Sequence, residues 1–205
     1  MPNLTALALN ATLKPSSGEA SSTDAMIDLL GKKLAKKGVT LSETVRLAEH
    51  DIKPGVTSDE GEGDAWPAIR EKILAADILV FGTPIWMGQV SSVAKRAMER
   101  MDAFTSETDD AGRMPSYGKL CVFAIVGNED GAHNCTAQLA QSLNDSGFTV
   151  PAVAACYWVG EAMGSTDFKE LDEVPDSIDQ TAGMVADNAA HLAALLKADP
   201  FPGHE

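Results

Sequence analysis

Positive charge is scarce in this chain: 16 lysines and arginines stand against 30 aspartates and glutamates, a net charge of -14 over 205 residues. Such a surface repels phosphate backbones and anionic headgroups, so neither nucleic acid nor a membrane is expected as a partner. Cysteine is nearly absent. Cys121, Cys135 and Cys156 are odd in number and lack CxxC spacing, which argues against a disulfide framework and for reduced, small core residues. The four histidines, His50, His133, His191 and His204, include no pair at metal-ligand spacing, so no metal is expected. No apolar run approaches the roughly 18 residues of a bilayer span. The opening MPNLTALALNAT has no basic segment, so no signal peptide is expected and a cytoplasmic protein is.

Several nucleotide-binding patterns are missing as well. There is no GxxxxGK[ST] for a Walker-type site and no GxGxxG after the first apolar run, which disfavours triphosphate and dinucleotide folds of those types. The positions where a phospho-acceptor domain would carry acidic residues hold Asn10-Ala11-Thr12 and Thr83.

What is present is an alternation of short apolar runs with helical stripes. Leu4–Asn10 reads as a first strand, and a helix is expected from Asp24, with Met26, Ile27, Leu30 and Leu34 on one face and Gly38 beyond its end. Val39–Leu47 reads as a second strand. The acidic, aperiodic stretch His50–Asp64 reads as a loop, and Trp66–Ala75 as a short helix with Pro67 in its first turn. Ile78–Phe81 is a third strand, apolar enough to be buried on both faces, and Gly82-Thr83-Pro84 is expected to end it. A helical stripe then follows at Val90, Val93, Ala94, Ala97 and Met101. Lys119–Val126 and Val150–Val159 read as the fourth and fifth strands, with a helix over Cys135–Asn144 between them and a last one from Ile178 to Leu196. Five strands alternating with five helices argue for one α/β domain over residues 1–205, a doubly wound parallel sheet of order 2-1-3-4-5 with helices on both faces.

In that order the switch point lies between strands one and three, so the loops at 10–23 and 83–89 would face each other across a ligand crevice. The first loop is rich in hydroxyls (Thr12, Ser16, Ser17, Ser21, Ser22, Thr23), carries Lys14 and runs into a helix start, which suits a phosphate. Helix capping is the ordinary alternative role for Ser21, Ser22 or Thr23. The second loop sets Trp86 between Pro84 and Gly88, a place for a planar ligand. A third, Gly127 to His133, has two glycines that let main-chain N–H groups approach a ring edge; an ordinary turn and helix cap is the alternative there.

These three segments together, with Thr83-Pro84-Ile85-Trp86-Met87-Gly88 and Gly127-Asn128-Glu129-Asp130-Gly131-Ala132-His133 the more specific, resemble the flavodoxin-like NAD(P)H-dependent FMN reductases and the related multimeric quinone-reducing flavodoxins. The resemblance implies FMN as cofactor and NAD(P)H as co-substrate. It implies that Thr12, Lys14, Ser21, Ser22 and Thr23 surround the phosphate and that Pro84, Ile85, Trp86, Met87 and Gly88 run along the isoalloxazine. Asn128, Glu129, Asp130 and Gly131 would then meet its pyrimidine side. It also implies a homodimer or homotetramer, and two-electron transfer to a quinone or a similar small acceptor. The first loop is longer than the family's usual form and has Lys14 where arginine is common. No acid–base constellation stands out, as expected where a cofactor carries the chemistry. His133 is a candidate to bond substrate or ring, or is simply a helix-start histidine facing solvent. Tyr157 and Trp158, before Val159-Gly160-Glu161, would wall the site or pack an interface. The alternative is an acidic electron carrier that binds FMN without turning over NAD(P)H.

Overall fold

The computed structural model describes residues 3–16 and 19–203; Ser17, Gly18 and His204 of the segments above lie outside them. Strands β1 (Leu4–Asn10), β2 (Val39–Arg46), β3 (Ile78–Trp86), β5 (Leu120–Gly127) and β6 (Ala155–Val159) form a parallel sheet of order β2-β1-β3-β5-β6, and β4 (Gln89–Val90) pairs with β3 antiparallel. The order is the expected one, with β4 added at the rim. Five α-helices connect the strands: α1 (Ser22–Ala35), α2 (Trp66–Ala75), α3 (Ser92–Met101), α4 (Ala132–Asp145) and α5 (Asp176–Ala198). No helix among the described residues is long and apolar enough to cross a membrane.

Side chains alternate across a strand, and the central strands therefore feed two cores. Leu7, Leu9, Leu79, Phe81, Phe123 and Ile125 meet α2, α3 and α4 on one face. Ala6, Ala8, Ile78, Val80, Val122 and Ala124 meet α1 and α5 on the other. Burial on both faces explains why β1, β3 and β5 are apolar runs without alternation. Cys121, Cys135 and Cys156 are buried in these cores.

Several element boundaries differ from expectation, four of them at the rim or with a clear local cause. β3 does not stop at Gly82-Thr83-Pro84 but continues to Trp86, because β5 pairs it as far as Pro84↔Val126 and β4 closes a hairpin on it. β1 ends opposite Gly82, so on that side a proline lacking an N–H breaks no ladder. Met87 and Gly88 form the hairpin turn with φ of 53° and 74°, the two positive values a type I′ connection requires. Val90 is consequently strand, and α3 starts only at Ser92, where Ser91 caps it by accepting from Ala94 N–H. α4 begins at Ala132, three residues ahead of the expected Cys135, with Gly131 at its cap. β6 begins at Ala155 rather than Val150, since Pro151 and a positive φ at Val153 turn the chain first.

Candidate functional site

The chain runs from β1 to β2 on one side and then returns across β1 to β3, so the carboxyl ends of β1 and β3 part and leave a crevice. A cleft of about 450 Å³ opens there. It is lined by Thr12, Leu13, Lys14, Ser21, Ser22 and Thr23 from the first loop and by Pro84, Ile85 and Trp86 from the end of β3. Asn128 and Glu129 join them from the end of β5, with Trp158, Met163, Gly164 and Asp167 from β6 and the loop after it. Met87, Gly88, Asp130, Gly131 and His133 lie outside this lining. A second hollow of about 480 Å³ is lined by residues preceding β5 and by Pro200 and Phe201, and its Arg70 and Arg113 are already paired with Glu107 and Asp109.

One end of the crevice is built to take negative charge. Asp24, in the first turn of α1, accepts hydrogen bonds from Asn10 at the tip of β1, from the Ser21 amide (2.6 Å) and hydroxyl (2.9 Å), and from Arg46 at the tip of β2. Burial works against the charge on Asp24, but the Ser21 and Arg46 bonds outweigh it and hold the carboxyl below its usual range. Arg46 also donates to the Lys14 carbonyl at 3.1 Å. Asn10, Asp24 and Arg46 therefore fix the entry and exit of the first loop, although they are far apart in the chain. Ser21 is the N-cap and part of a capping box, so its hydroxyl serves the helix. The Asp24 and Ala25 amides bond to Ser21, which leaves those of Ser22 and Thr23 without an acceptor among the described residues. These are the free donors of a helix start. Lys14 stands beside them and makes no ion pair among the described residues.

Ser91 couples this loop to the opposite wall. It caps α3 and donates its hydroxyl to the Ala11 carbonyl at 2.7 Å, while its amide donates to Thr83 Oγ1 at 3.2 Å. The close packing of Gly82 has the same effect, since a Cβ there would lie 2.6 Å from Ile27 Cδ1 and 2.9 Å from Thr23 Cγ2. Gly82 thus lets α1 dock with its first turn directly over the sheet end.

The other end is apolar, with donors and acceptors at the rim. Trp86, at the end of β3, is 52% exposed. Asn128 donates through Nδ2 to the Gly164 carbonyl and to Asp167 Oδ1, both at 3.3 Å, and its Oδ1 is buried without a partner. Sequence reasoning missed Met163, Gly164 and Asp167, because the loop after β6 has no periodicity; its one signal is the Asp167–Glu170 capping box. That loop is laced to Asn128 by Met163 N–H to the Asn128 carbonyl (2.9 Å) and is propped by Phe168, whose ring lies 5.6 Å from that of Trp158.

Two expectations are redirected. The amides of Met87 and Gly88 donate to the two carboxylate oxygens of Glu129, at 3.0 and 3.2 Å. His133 Nε2 lies 3.0 Å from the hydroxyl of Tyr157. Tyr157 packs toward the α2–α4 face of β6, opposite to Trp158, and neither it nor His133 is part of the cleft lining.

A cleft with hydroxyls, a lysine and a free helix start at one end and an aromatic wall at the other suits a phosphate-tailed ring. The comparisons with known proteins agree with that description. Residues 5–163 match the family model described as NADPH-dependent FMN reductase. The 8-demethyl-8-aminoriboflavin-5′-phosphate synthase of Streptomyces davaonensis is 32% identical over 208 residues, covering 97% of this chain and 80% of that protein. The crystal structure of RosB with bound 8-demethyl-8-formylriboflavin-5′-phosphate superposes with a TM-score of 0.85 at 30% identity, over 97% of this chain and 82% of that one. A Mycobacterium bovis protein named divalent metal cation transporter MntH is 36% identical over 202 residues, and the chain spans 29% of its length. An apo NADH:FMN oxidoreductase, EmoB, shares the fold at a TM-score of 0.66 and 15% identity, with 98% and 94% of the two chains covered. The chain belongs to the NADPH-dependent FMN reductase family.

Proposed function

We propose that the crevice binds FMN and that the protein passes two electrons from NAD(P)H to a quinone or a similar small acceptor. The observation that supports this most is the pairing, in one cleft, of an anion-receiving helix start with an aromatic wall. The amides of Ser22 and Thr23, the hydroxyls of Thr12 and Ser22, and the Lys14 ammonium hold the phosphate, where the partial charge of the helix start adds to each bond. Ile85 and Trp86 cover one side of the ring and exclude water from it. Asn128, held in one orientation by Gly164 and Asp167, lines the part of the cleft that would take the pyrimidine side. FMN held by these residues would supply the two-electron redox chemistry between NAD(P)H and the acceptor. Leu13, Trp86 and Met163, all exposed and apolar around the opening, offer a surface for the second substrate and, with Met87, for a second copy of the chain in a homo-oligomer.

A second reading rests on the similarity to the Streptomyces davaonensis synthase: here the flavin phosphate is the substrate, altered at its 8-position, rather than a resident cofactor. One experiment tests both. The purified protein is titrated with FMN and then incubated with NADH or NADPH and a quinone. NAD(P)H oxidation with the flavin recovered at unchanged mass supports the reductase; a changed flavin mass with an amino donor present supports the synthase. A protein that binds no FMN refutes both.

A further inference from the structure

The contact that the proposed function leaves unexplained is the one made by Glu129. Its carboxylate takes both main-chain N–H groups of the hairpin turn, Met87 and Gly88, one on each oxygen. Two adjacent donors aimed at one spot form a small acceptor-binding concavity, and a charged acceptor fills it more strongly than a neutral one. The turn sits at the crevice mouth directly after Trp86, and Glu129 itself lines the cleft. Met87 and Gly88 lie outside the lining but next to Trp86 and Glu129, which belong to it, and the expectation that Pro84 to Gly88 run along the ring sets its edge toward the same two amides. In FMN that edge carries two acceptors in a row, the N5 nitrogen and the neighbouring C4 carbonyl oxygen.

Accepting the FMN reading of the crevice, on which this rests, we infer that Glu129 is an internal stand-in for the flavin's N5/O4 edge and competes with FMN for the amides of Met87 and Gly88. A residue that lines a binding cleft ordinarily supports binding. Glu129 opposes it, because the ring edge gains these donors only when the carboxylate swings out. The turn does not depend on Glu129 alone. Asn134 Nδ2 donates to the Gly88 carbonyl at 2.9 Å, and Gly131 packs so closely that a Cβ on it would lie 2.6 Å from Gly88 Cα. Those two contacts keep the hairpin in place when the carboxylate is removed.

The test compares FMN with 5-deaza-FMN, in which N5 is replaced by C–H and cannot accept a hydrogen bond, in wild type, Glu129→Ala and Glu129→Gln. Dissociation constants are read from flavin fluorescence. The expected result is FMN bound about tenfold more tightly by Glu129→Ala, the value of one recovered hydrogen bond. Glu129→Gln, with a single accepting oxygen, gives a smaller gain, and 5-deaza-FMN gains distinctly less than FMN. A mere loss of negative charge near an anionic ligand would tighten both flavins equally, and that outcome overturns the inference. So does FMN affinity that stays level or falls in both variants. If wild type binds neither flavin, the FMN reading itself fails, which is a separate and recognisable result.

Discussion

Arg100 and Asp64 set up the most demanding test of the packing beneath the site. Their side chains are fully buried and lie 2.7 Å apart, joining α3 to the end of the 50–65 loop. Arg100 also donates to the carbonyls of Lys53 (2.9 Å) and Thr57 (3.1 and 2.9 Å) and lies over the Trp66 ring. Asp64 accepts from the amides of Lys53, Glu60 and Trp66. Replacing Arg100 with alanine strands a buried carboxylate and two carbonyls at once, and breaking such a pair costs about 3–5 kcal/mol. For a chain of this size that lowers Tm by about 6–20 °C, at about 2–4 °C per kcal/mol. The effect has a pH signature. Burial disfavours the Asp64 charge, but Arg100 and the three amides overcome it and hold the carboxyl well below its ordinary value of 3.8. A depressed folded pKa stabilises above the unfolded value and is lost as pH falls below it. Wild type should therefore lose stability steeply below about pH 4, and Asp64→Asn should lose much less of its remaining stability there. Calorimetric Tm values from pH 7 to pH 3 measure both. A fall of less than about 1 kcal/mol in Arg100→Ala would be the size of an exposed pair, and it would refute the claim that this pair pins the loop.

Three further outcomes follow from the site. Lys14→Ala combined with Ser22→Ala should weaken FMN binding by about 1–3 kcal/mol for each charged hydrogen bond lost, read by fluorescence titration; unchanged affinity would place the phosphate elsewhere. Gly131→Ala puts a Cβ against the Gly88 backbone at a φ of 134°, and overpacking of that kind costs about 1–3 kcal/mol. Its Tm should fall and its tryptophan emission should change as Trp86 moves, whereas Gly61→Ala, with open space around it, should leave the emission alone. The three thiols are buried, which pushes Cys135 up to about 11, Cys156 up to about 12 and Cys121 higher still. A thiol reagent at pH 8 should therefore titrate no cysteine in the native protein and all three after unfolding.

The sheet could be read in the sequence largely because its strands are buried on both sides. Leu4–Asn10 and Trp66–Ala75 have the expected bounds, since an apolar run and a proline-started helix depend only on neighbours in sequence. β3 exceeded its expected length because the pairing of Pro84 with Val126 is decided by β5, about forty residues away. The hydroxyls and helix start of the first loop, on which the phosphate expectation rests, are local features. The residues that shape it, Asn10, Asp24 and Arg46, meet only when β1, α1 and β2 are assembled. The loop carrying Gly164 and Asp167 gave no period to read, and its bearing on the site comes from bonds to Asn128 across the sheet edge.

The hairpin that carries Trp86 has its own architectural consequence. It projects past the sheet, and the segment from Glu129 to Asn134 fastens it there. Rewriting that short segment would re-aim the wall of the binding cleft while every strand below it stayed in register. A lineage could thus reshape what the cleft admits through a handful of changes in a single connection, without reopening the question of how the protein folds.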